Sequence, residues 1–360
     1  MPALAGEPEV LNSAMSIPER LEPVLRLYPF AVESITVENL KEKKSVWWLD
    51  TDIGRLVMKL SPNPPRQMRF VLAVARHLQE RGVRIPEMLP TRAGEFCAEL
   101  DGACYVVSRA AGGRTPSYFV KRELEAIIRG LAGFHRASRG FAAPDGAYVR
   151  SHLGTWRHEY AGRLADLERF AAQASPGGSE FSSIVSRESV VMVDQARRAL
   201  SGLDGPAYER CVKRVASGCN ICHQDFAAGN LALAGNDLYI FDLDSVTVDH
   251  EARDLRKIVN KVMKKSGGWD ASLLREMLVS YHAVNPLGRD DYEALKTDLA
   301  FPHLFHGVVS KYYERRESEW SPSKFLKRLK DIVRLEKAKG SVLARFDEIV
   351  DSLGCTHRGG

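Results

Sequence analysis

The sequence predicts an α+β protein in two unequal parts, a small β-rich part with one helix and a larger, mainly helical part. Three observations predict it. Short runs of β-branched and aromatic residues crowd between residues 31 and 110. One amphipathic helix interrupts them. From about residue 111 apolar residues recur at helical spacing almost to the end, interrupted by the apolar strand of LYIFDLDSV.

Residues 1–30 form a lead-in, and the first stretch mixes Ala, Gly, Pro and Glu without periodicity, as a frayed arm does. AVESITV, KKSVWWLDT and GRLVMKL follow as three short strands of an antiparallel meander, divided by polar turns. Trp47 and Trp48 are neighbours on a strand, so at most one points into the core. After the break SPNPP, RQMRFVLAVARHLQERGV sets Met68, Val71, Leu72, Ala75 and Leu78 at helical spacing, and Gly82 stops it. EMLPTRAGEFCAELDGACYVVSRA returns to strand pattern with Asp-Gly as a hairpin turn. SRAAGGR is the linker. Beyond it, KRELEAIIRGLAGFHRAS carries Leu124, Ile127, Ile128, Leu131 and Phe134 on one stripe. Further helices fall around WRHEYAGRLADLERFAAQA and SSIVSRESVVMVDQARRAL, and the chain after EARDLRKIVNKVMKK is helical. The expected parts are therefore 1–30, a small lobe over 31–110 and a helical lobe over 111–360.

Composition limits the function classes. The 360 residues are 44% hydrophobic and 27% charged, with Lys+Arg 51 against Asp+Glu 46 and a formal net charge of +5 that no basic run concentrates. Nucleic-acid binding gets no support from this pattern. No apolar run approaches the roughly 18 residues that span a bilayer, and MPALAGEPEV lacks a signal peptide's basic flank and apolar stretch, so a cytoplasmic protein without membrane insertion is expected. Six scattered cysteines fit free thiols in a reducing compartment. CNIC has metal or redox spacing, but buried strand cysteines explain it more simply.

The chemistry concentrates in CHQDFAAGN. Asp225 and Asn230 stand at D-x-x-x-x-N, the spacing between a catalytic aspartate and a magnesium-binding asparagine in kinase-type loops. IFDLDS then supplies Asp242 at a strand end, where a second hard oxygen ligand for Mg²⁺ is needed. The competing reading is an ordinary turn, because Asp, Gly and Asn are common loop formers. Lys59 in VMKL lies on the third strand of the small lobe, where an inward lysine can pair with the α- and β-phosphates of ATP, although taken alone it reads more simply as a surface strand lysine. The backbone of SRAAGGR, at Ser108 and Ala110, can hydrogen-bond an adenine. Arg253 and Asp254, in RDL, are placed to fix loop and helix rather than to touch substrate.

HQDFAAGN followed by YIFDLDSV and EARDLRKI, with LAGFHRAS upstream, resembles the aminoglycoside phosphotransferase and choline kinase superfamily, and within it the CotS-type spore-coat kinase-like family. The resemblance runs from about residue 30 to about 350. It implies a two-lobed protein-kinase-like fold with ATP and Mg²⁺ as cofactors and a small-molecule hydroxyl as acceptor, a sugar, an amino sugar or a choline-like compound. It also implies a place in the spore coat, with other coat proteins as partners. Carried over, Asp225 would be the catalytic base, Asn230 and Asp242 the Mg²⁺ ligands, Lys59 the phosphate-binding lysine and His223 a brace for the loop. Asp244, taken to share a strand face with Asp242, would hold a second metal or bond to backbone. The rival is a coat scaffold that keeps the fold without turnover.

Two departures stand out. VENLKEKKSV has no glycine to let backbone approach phosphates. The small-lobe helix has no acidic residue in its first turns to pair with Lys59, so Gln67 or a carboxylate from elsewhere must orient it. The stretch between FDLDS and RDL is too short for the activation segment of a protein kinase. Asp249, His250 and Glu251 read as wall residues of a substrate site or as solvated loop charges. The aromatic and histidine side chains of FPHLFHGVVSKYYERRESEW, His303 and His306 among them, read as packing ahead of sugar stacking.

Overall fold

The computed structural model describes residues 10–11, 21–39 and 44–354, and the chain divides into two compact units. The expected disorder of the N-terminal arm and the middle of the glycine-free VENLKEKKSV stretch, residues 40–43, lie outside the described residues.

The first unit comprises 1–116, 141–150 and 228–246. Its sheet is antiparallel throughout, in the order β1–β2–β3–β4–β7–β5, with β6 also on β7. The strands are β1 (Val10–Leu11), β2 (Val32–Asn39), β3 (Ser45–Thr51), β4 (Gly54–Ser61), β5 (Met88–Leu89), β6 (Ala98–Leu100) and β7 (Ala103–Arg109). Strand periodicity decides which side chains are buried. Along β3, Ser45, Trp47, Leu49 and Thr51 are buried while Val46, Trp48 and Asp50 are not. One tryptophan therefore enters the core, which Leu21, Val24 and Tyr28 from the short helix α1 (Glu22–Leu25) and its flanks also fill. On β4 the same rule buries Leu56 and Met58 and turns Val57 and Lys59 to the opposite face. The hairpin between β6 and β7 turns at Asp101 and Gly102 with φ of 51° and 75°, the left-handed pair a two-residue turn requires.

Helix α2 (Pro65–Glu80) starts on Pro64 and Pro65 and ends ahead of Gly82, whose φ of 82° suits glycine alone. It buries Phe70 and Val74 along with Met68, Val71, Ala75 and Leu78, whereas Leu72 is half-buried. Residues 228–246 group here because a hairpin over 231–240 bonds to this unit's chain. Arg114 and Leu233 exchange backbone hydrogen bonds (3.1 and 2.8 Å), and Ile240 donates to Arg84 O (2.8 Å). Gly113 makes this approach possible, since a Cβ there would sit 2.6 Å from Leu233 O.

The second unit comprises 117–140, 151–227 and 247–360. Its helices are α3 (Lys121–Ser138), α4 (Trp156–Gln173), α5 (Glu180–Gly202), α6 (Pro206–Gly218), α7 (Ala252–Lys265), α8 (Ala271–His282), α9 (Arg289–Ala300), α10 (His303–Tyr313), α11 (Pro322–Leu343) and α12 (Phe346–Asp351). The full predicted stripe of α3 is buried, each such side chain contributing about 1.5–3 kcal/mol. Ser179, Asp270 and Ser321 cap α5, α8 and α11 by accepting a backbone N–H, each worth about 1 kcal/mol. A two-residue ladder joins Ile221–Cys222 to Thr247–Val248. Among the described residues no helix is long and apolar enough to cross a membrane.

Candidate active site

Lys59 on the outer face of β4 reaches two carboxylates of its own unit, Asp242 at 2.5 Å and Asp244 at 2.6 Å. Lys44, just ahead of β3, joins them at 2.9 and 3.4 Å. Two lysines and two aspartates thus form one balanced cluster. Burial alone would raise the Asp242 carboxyl, but Lys59 and Lys44 outweigh it and hold the group well below the usual carboxylate range. Asp242 is therefore ionised at any physiological pH.

Local backbone explains how both aspartates arrive there. The strand of LYIFDLDSV ends at Ile240, Asp242 adopts a left-handed φ of 63°, and Leu243–Ser245 form a 3₁₀ turn. The expected extended segment with Asp242 and Asp244 on one strand face is thus replaced by a turn that carries both to Lys59. Asp244 is fixed in turn by its carbonyl, which accepts from Asn63 Nδ2 (2.9 Å) and Arg150 Nη1 (2.8 Å). Arg150 also faces Gln67, which in the amide orientation that presents oxygen accepts from Nε at 2.8 Å. Gln67 is engaged there rather than on Lys59, and the lysine's carboxylates come from the turn, not from α2.

Asn230 lies at the same end of the 231–240 hairpin as Asp242. Leu231 pairs with Ile240, and Phe241 N–H donates to Asn230 O (3.1 Å), closing that end. The two expected metal ligands therefore leave the hairpin side by side. An ionised carboxylate and an amide oxygen are hard donors, a set that fits Mg²⁺.

Ser108 and Ala110 are more committed than a free linker would be. Ser108 sits inside β7, paired with Val57 on one side and Met88 on the other, and Ala110 N–H donates to Arg55 O (3.2 Å). A nucleotide contact through the Ala110 N–H would have to displace that bond.

The second unit holds the remaining residues expected from the sequence. Asp225 is exposed, with Lys261 Nζ at 3.6 Å. The loop leading to it is pinned from below. Buried Asp254 accepts from the backbone N–H of His223 (2.6 Å) and Gln224 (2.8 Å) and from His135 Nε2 (3.2 Å). Burial pushes this carboxyl up, and the hydrogen bond from His135, with Lys257 nearby, more than reverses the shift. Gln224, at a left-handed φ of 70°, turns the chain so that Asp225 N–H meets His223 Nδ1 (3.3 Å). The His223 ring is fully buried against Phe134 and Phe226. Asp254 and His223 thus hold the loop without being exposed.

Asp249, His250 and Glu251 are neither wall residues nor solvated charges. All three are buried, Asp249 accepting from Trp156 Nε1 (2.9 Å) and Arg253 Nε (3.0 Å), His250 facing Asp291 (2.9 Å) and Glu251 paired with Arg214 (2.5 Å). Arg253 adds Glu159 at 3.0 Å and lies 4.6 Å over the Trp156 ring. Of the CNIC pair only Cys222 is a buried strand residue, because Cys219 caps α6 at a φ of 51°. In the FPHLFHGVVSKYYERRESEW stretch Phe301 and Phe305 are buried and Tyr312 stacks on Phe181 at 3.8 Å, which is packing.

Lys44, Asn63 and Arg150 escaped sequence reasoning. Lys44 ends the mixed charged run KEKK, which resembles a solvated turn, and Arg150 lies in a segment without periodicity.

Over residues 52–346 the sequence matches the family described as "Spore coat putative kinase YutH". It is 31% identical to spore coat protein S of Bacillus subtilis (strain 168) over 91% of this chain and 93% of that protein. The fold is similar to the crystal structure of an aminoglycoside phosphotransferase from Alicyclobacillus acidocaldarius subsp. acidocaldarius DSM 446. The TM-score is 0.78 at 18% identity, covering 95% of this chain and all of that one. Spectinomycin phosphotransferase APH(9)-Ia, solved with ADP and spectinomycin, aligns with a TM-score of 0.57 at 15% identity, covering 89% and 98% of the two chains. The kinase-like fold of the aminoglycoside phosphotransferases is thereby established.

Proposed function

The chain belongs to the YutH family of spore coat kinase-like proteins, and from that premise we propose that it is an ATP- and Mg²⁺-dependent phosphotransferase acting on a small-molecule hydroxyl during spore coat formation. The observation that carries the reading is the ionised Asp242 beside Lys59, at the hairpin end that also bears Asn230. A coat scaffold has no need of a half-exposed lysine and aspartate held in this way. The ADP in the solved spectinomycin phosphotransferase supports the choice of nucleotide.

In this reading Asp225 accepts the proton of the acceptor hydroxyl as its oxygen bonds to the γ-phosphorus of ATP. The bond from that phosphorus to the β-phosphate's bridging oxygen breaks, and ADP leaves. Lys59 neutralises phosphate charge, and Asp254 and His223 keep Asp225 oriented. Asn230 and Asp242 would hold Mg²⁺, which when bound neutralises charge on the phosphates. Asp244, anchored through its carbonyl, serves Lys59 as a second carboxylate.

A scaffold reading has one observation in its favour. With no acidic residue in the first turn of α2, Lys59 and Lys44 both neutralise the carboxylate that the metal needs. Measuring ADP release in the parent protein and in Asp225→Ala separates the two. The phosphotransferase reading expects turnover in the parent, a fall of about 10²–10⁴ in the variant and unchanged folding. No turnover in the parent, with coat assembly intact in both, favours the scaffold.

A further inference from the structure

We propose that the acceptor is an anion, a hydroxylated small molecule bearing a carboxylate or phosphate group, held in a cationic cavity of the second unit next to the Asp225 loop. This rests on the phosphotransferase reading and names the acceptor class for the same site.

The cavity encloses about 660 Å³ and is lined by Arg163, Arg253, Arg256, Lys257, Lys311 and Arg316. Glu159 is the one carboxylate in the lining. Counter-ions for the others stand behind them. Arg256 is held by fully buried Asp298 (3.2 Å), Arg253 by Asp249, Lys311 by Glu317 and Arg316 by Glu314 (2.8 Å). Glu159 is spent on Arg253 at 3.0 Å and reaches Arg163 only at 3.9 Å, and Lys257 bonds to Gln224 oxygens, so Arg163 and Lys257 are the lining cations least committed to a counter-ion.

Arg163 lies among other cations. Burial, followed by the nearby Arg256 and Arg253, pulls its guanidinium below the ordinary arginine value, although arginine stays protonated at any working pH. Its Nη1 donates to His303 Nδ1 (2.9 Å), which fixes His303 as the tautomer carrying a proton on Nε2, and that nitrogen donates to Asp298 (2.7 Å). Burial holds His303 and His306 below the ordinary histidine value, so the positive charge of the lining is that of its arginines and lysines.

Lys257 ties the cavity to the chemistry. Its Nζ donates to both the carbonyl and the side-chain oxygen of Gln224 (2.6 Å each), and Gln224 lines the cavity one residue before Asp225. The Nε2 amide of Gln224 is buried with no acceptor. An anionic group among these donors would gain several charge-assisted hydrogen bonds, whereas an amino sugar or choline would bring a like charge to the same face.

The test uses the full chain with Mg²⁺ and ATP and four probes, ribose 5-phosphate, gluconate, kanamycin and choline. Binding is read by calorimetry, and phosphorylation by transfer of labelled phosphate. The expected result is binding and phosphorylation of ribose 5-phosphate or gluconate, the two arms telling phosphate from carboxylate recognition. Affinity should weaken as salt rises from about 0.05 to 0.5 M. Arg163→Gln/Lys311→Gln should lose about tenfold or more of that affinity while keeping a native-like melting transition, and Arg163→Lys/Lys311→Arg should recover most of it. Preference for kanamycin or choline, or anion binding equal in the neutralised variant and the parent, would overturn the proposal while leaving the phosphotransferase reading intact. A parent that binds no Mg·ATP would instead remove that reading, and this proposal with it.

Discussion

Two charge-dense regions differ in burial. In the first unit Lys44, Lys59 and Asp242 keep 38%, 21% and 24% of their side-chain surface exposed. At the start of α7 in the second unit Asp249, Glu251, Arg253 and Asp254 keep 3% or less. Charges sealed from water must satisfy one another permanently, because an unpaired one bears the whole desolvation cost. Charges that still meet water can exchange partners, which a site that takes up Mg²⁺ and phosphate must do. The α7 network is accordingly structural, and in the proposed phosphotransferase reading the Lys59 cluster is the part that exchanges partners.

Four substitutions or conditions bear on this contrast, the largest effect first. Asp254→Ala would leave His135 and two backbone N–H groups without their buried acceptor and should cost about 3–5 kcal/mol in chemical denaturation. A loss below about 1 kcal/mol would mean that the network is not structural. Gly113→Ala drives a Cβ into Leu233 O at a positive φ and should cost about 1–3 kcal/mol. It should also weaken nucleotide binding, since the displaced hairpin carries Asn230 and Asp242. Asp242→Asn breaks a partly buried pair but leaves Lys59 and Lys44 with Asp244, and should cost about 1–2 kcal/mol, less than the sealed Asp254. A larger loss would put the cluster in the structural class.

The smallest effect concerns acid. Asp242 and Asp254 both have folded-state carboxyls below their ordinary values. Each stabilises the fold above the unfolded value and loses that contribution as pH falls through the folded one, so the decline lies below about pH 4. Asp242→Asn should make the unfolding free energy less steep in that window. An unchanged slope would mean that Lys59 and Lys44 do not hold the carboxylate ionised.

Much of the architecture was legible in the sequence because it is periodic. The β2–β4 meander, the α3 stripe and the Asp-Gly turn each rest on spacing that a few residues display. The failures were of another kind. A left-handed residue at Asp242 leaves no mark in composition, so the sequence pattern reads as a strand through Asp244. The burial of Asp249, His250 and Glu251 depends on partners at Arg214, Trp156 and Asp291, far away in sequence. The cationic cavity draws on α4, α7, α10 and the turn after α10; α7 alone is rich in basic residues, but which of them share a cavity with Arg163, Lys311 and Arg316 depends on helix packing. The commitment of Ala110 to Arg55 likewise follows from sheet register, which no local pattern discloses.

The central claim is tested most directly by calorimetric binding of ATP, with and without Mg²⁺, to the parent protein and to Asp242→Asn, with thermal unfolding alongside. Ligand at about 100 times its Kd should stabilise the parent by about 2.7 kcal/mol. The account predicts Mg²⁺-dependent binding in the parent and loss of that dependence in the variant. No binding to the parent, or the same Mg²⁺ dependence in both proteins, would contradict it.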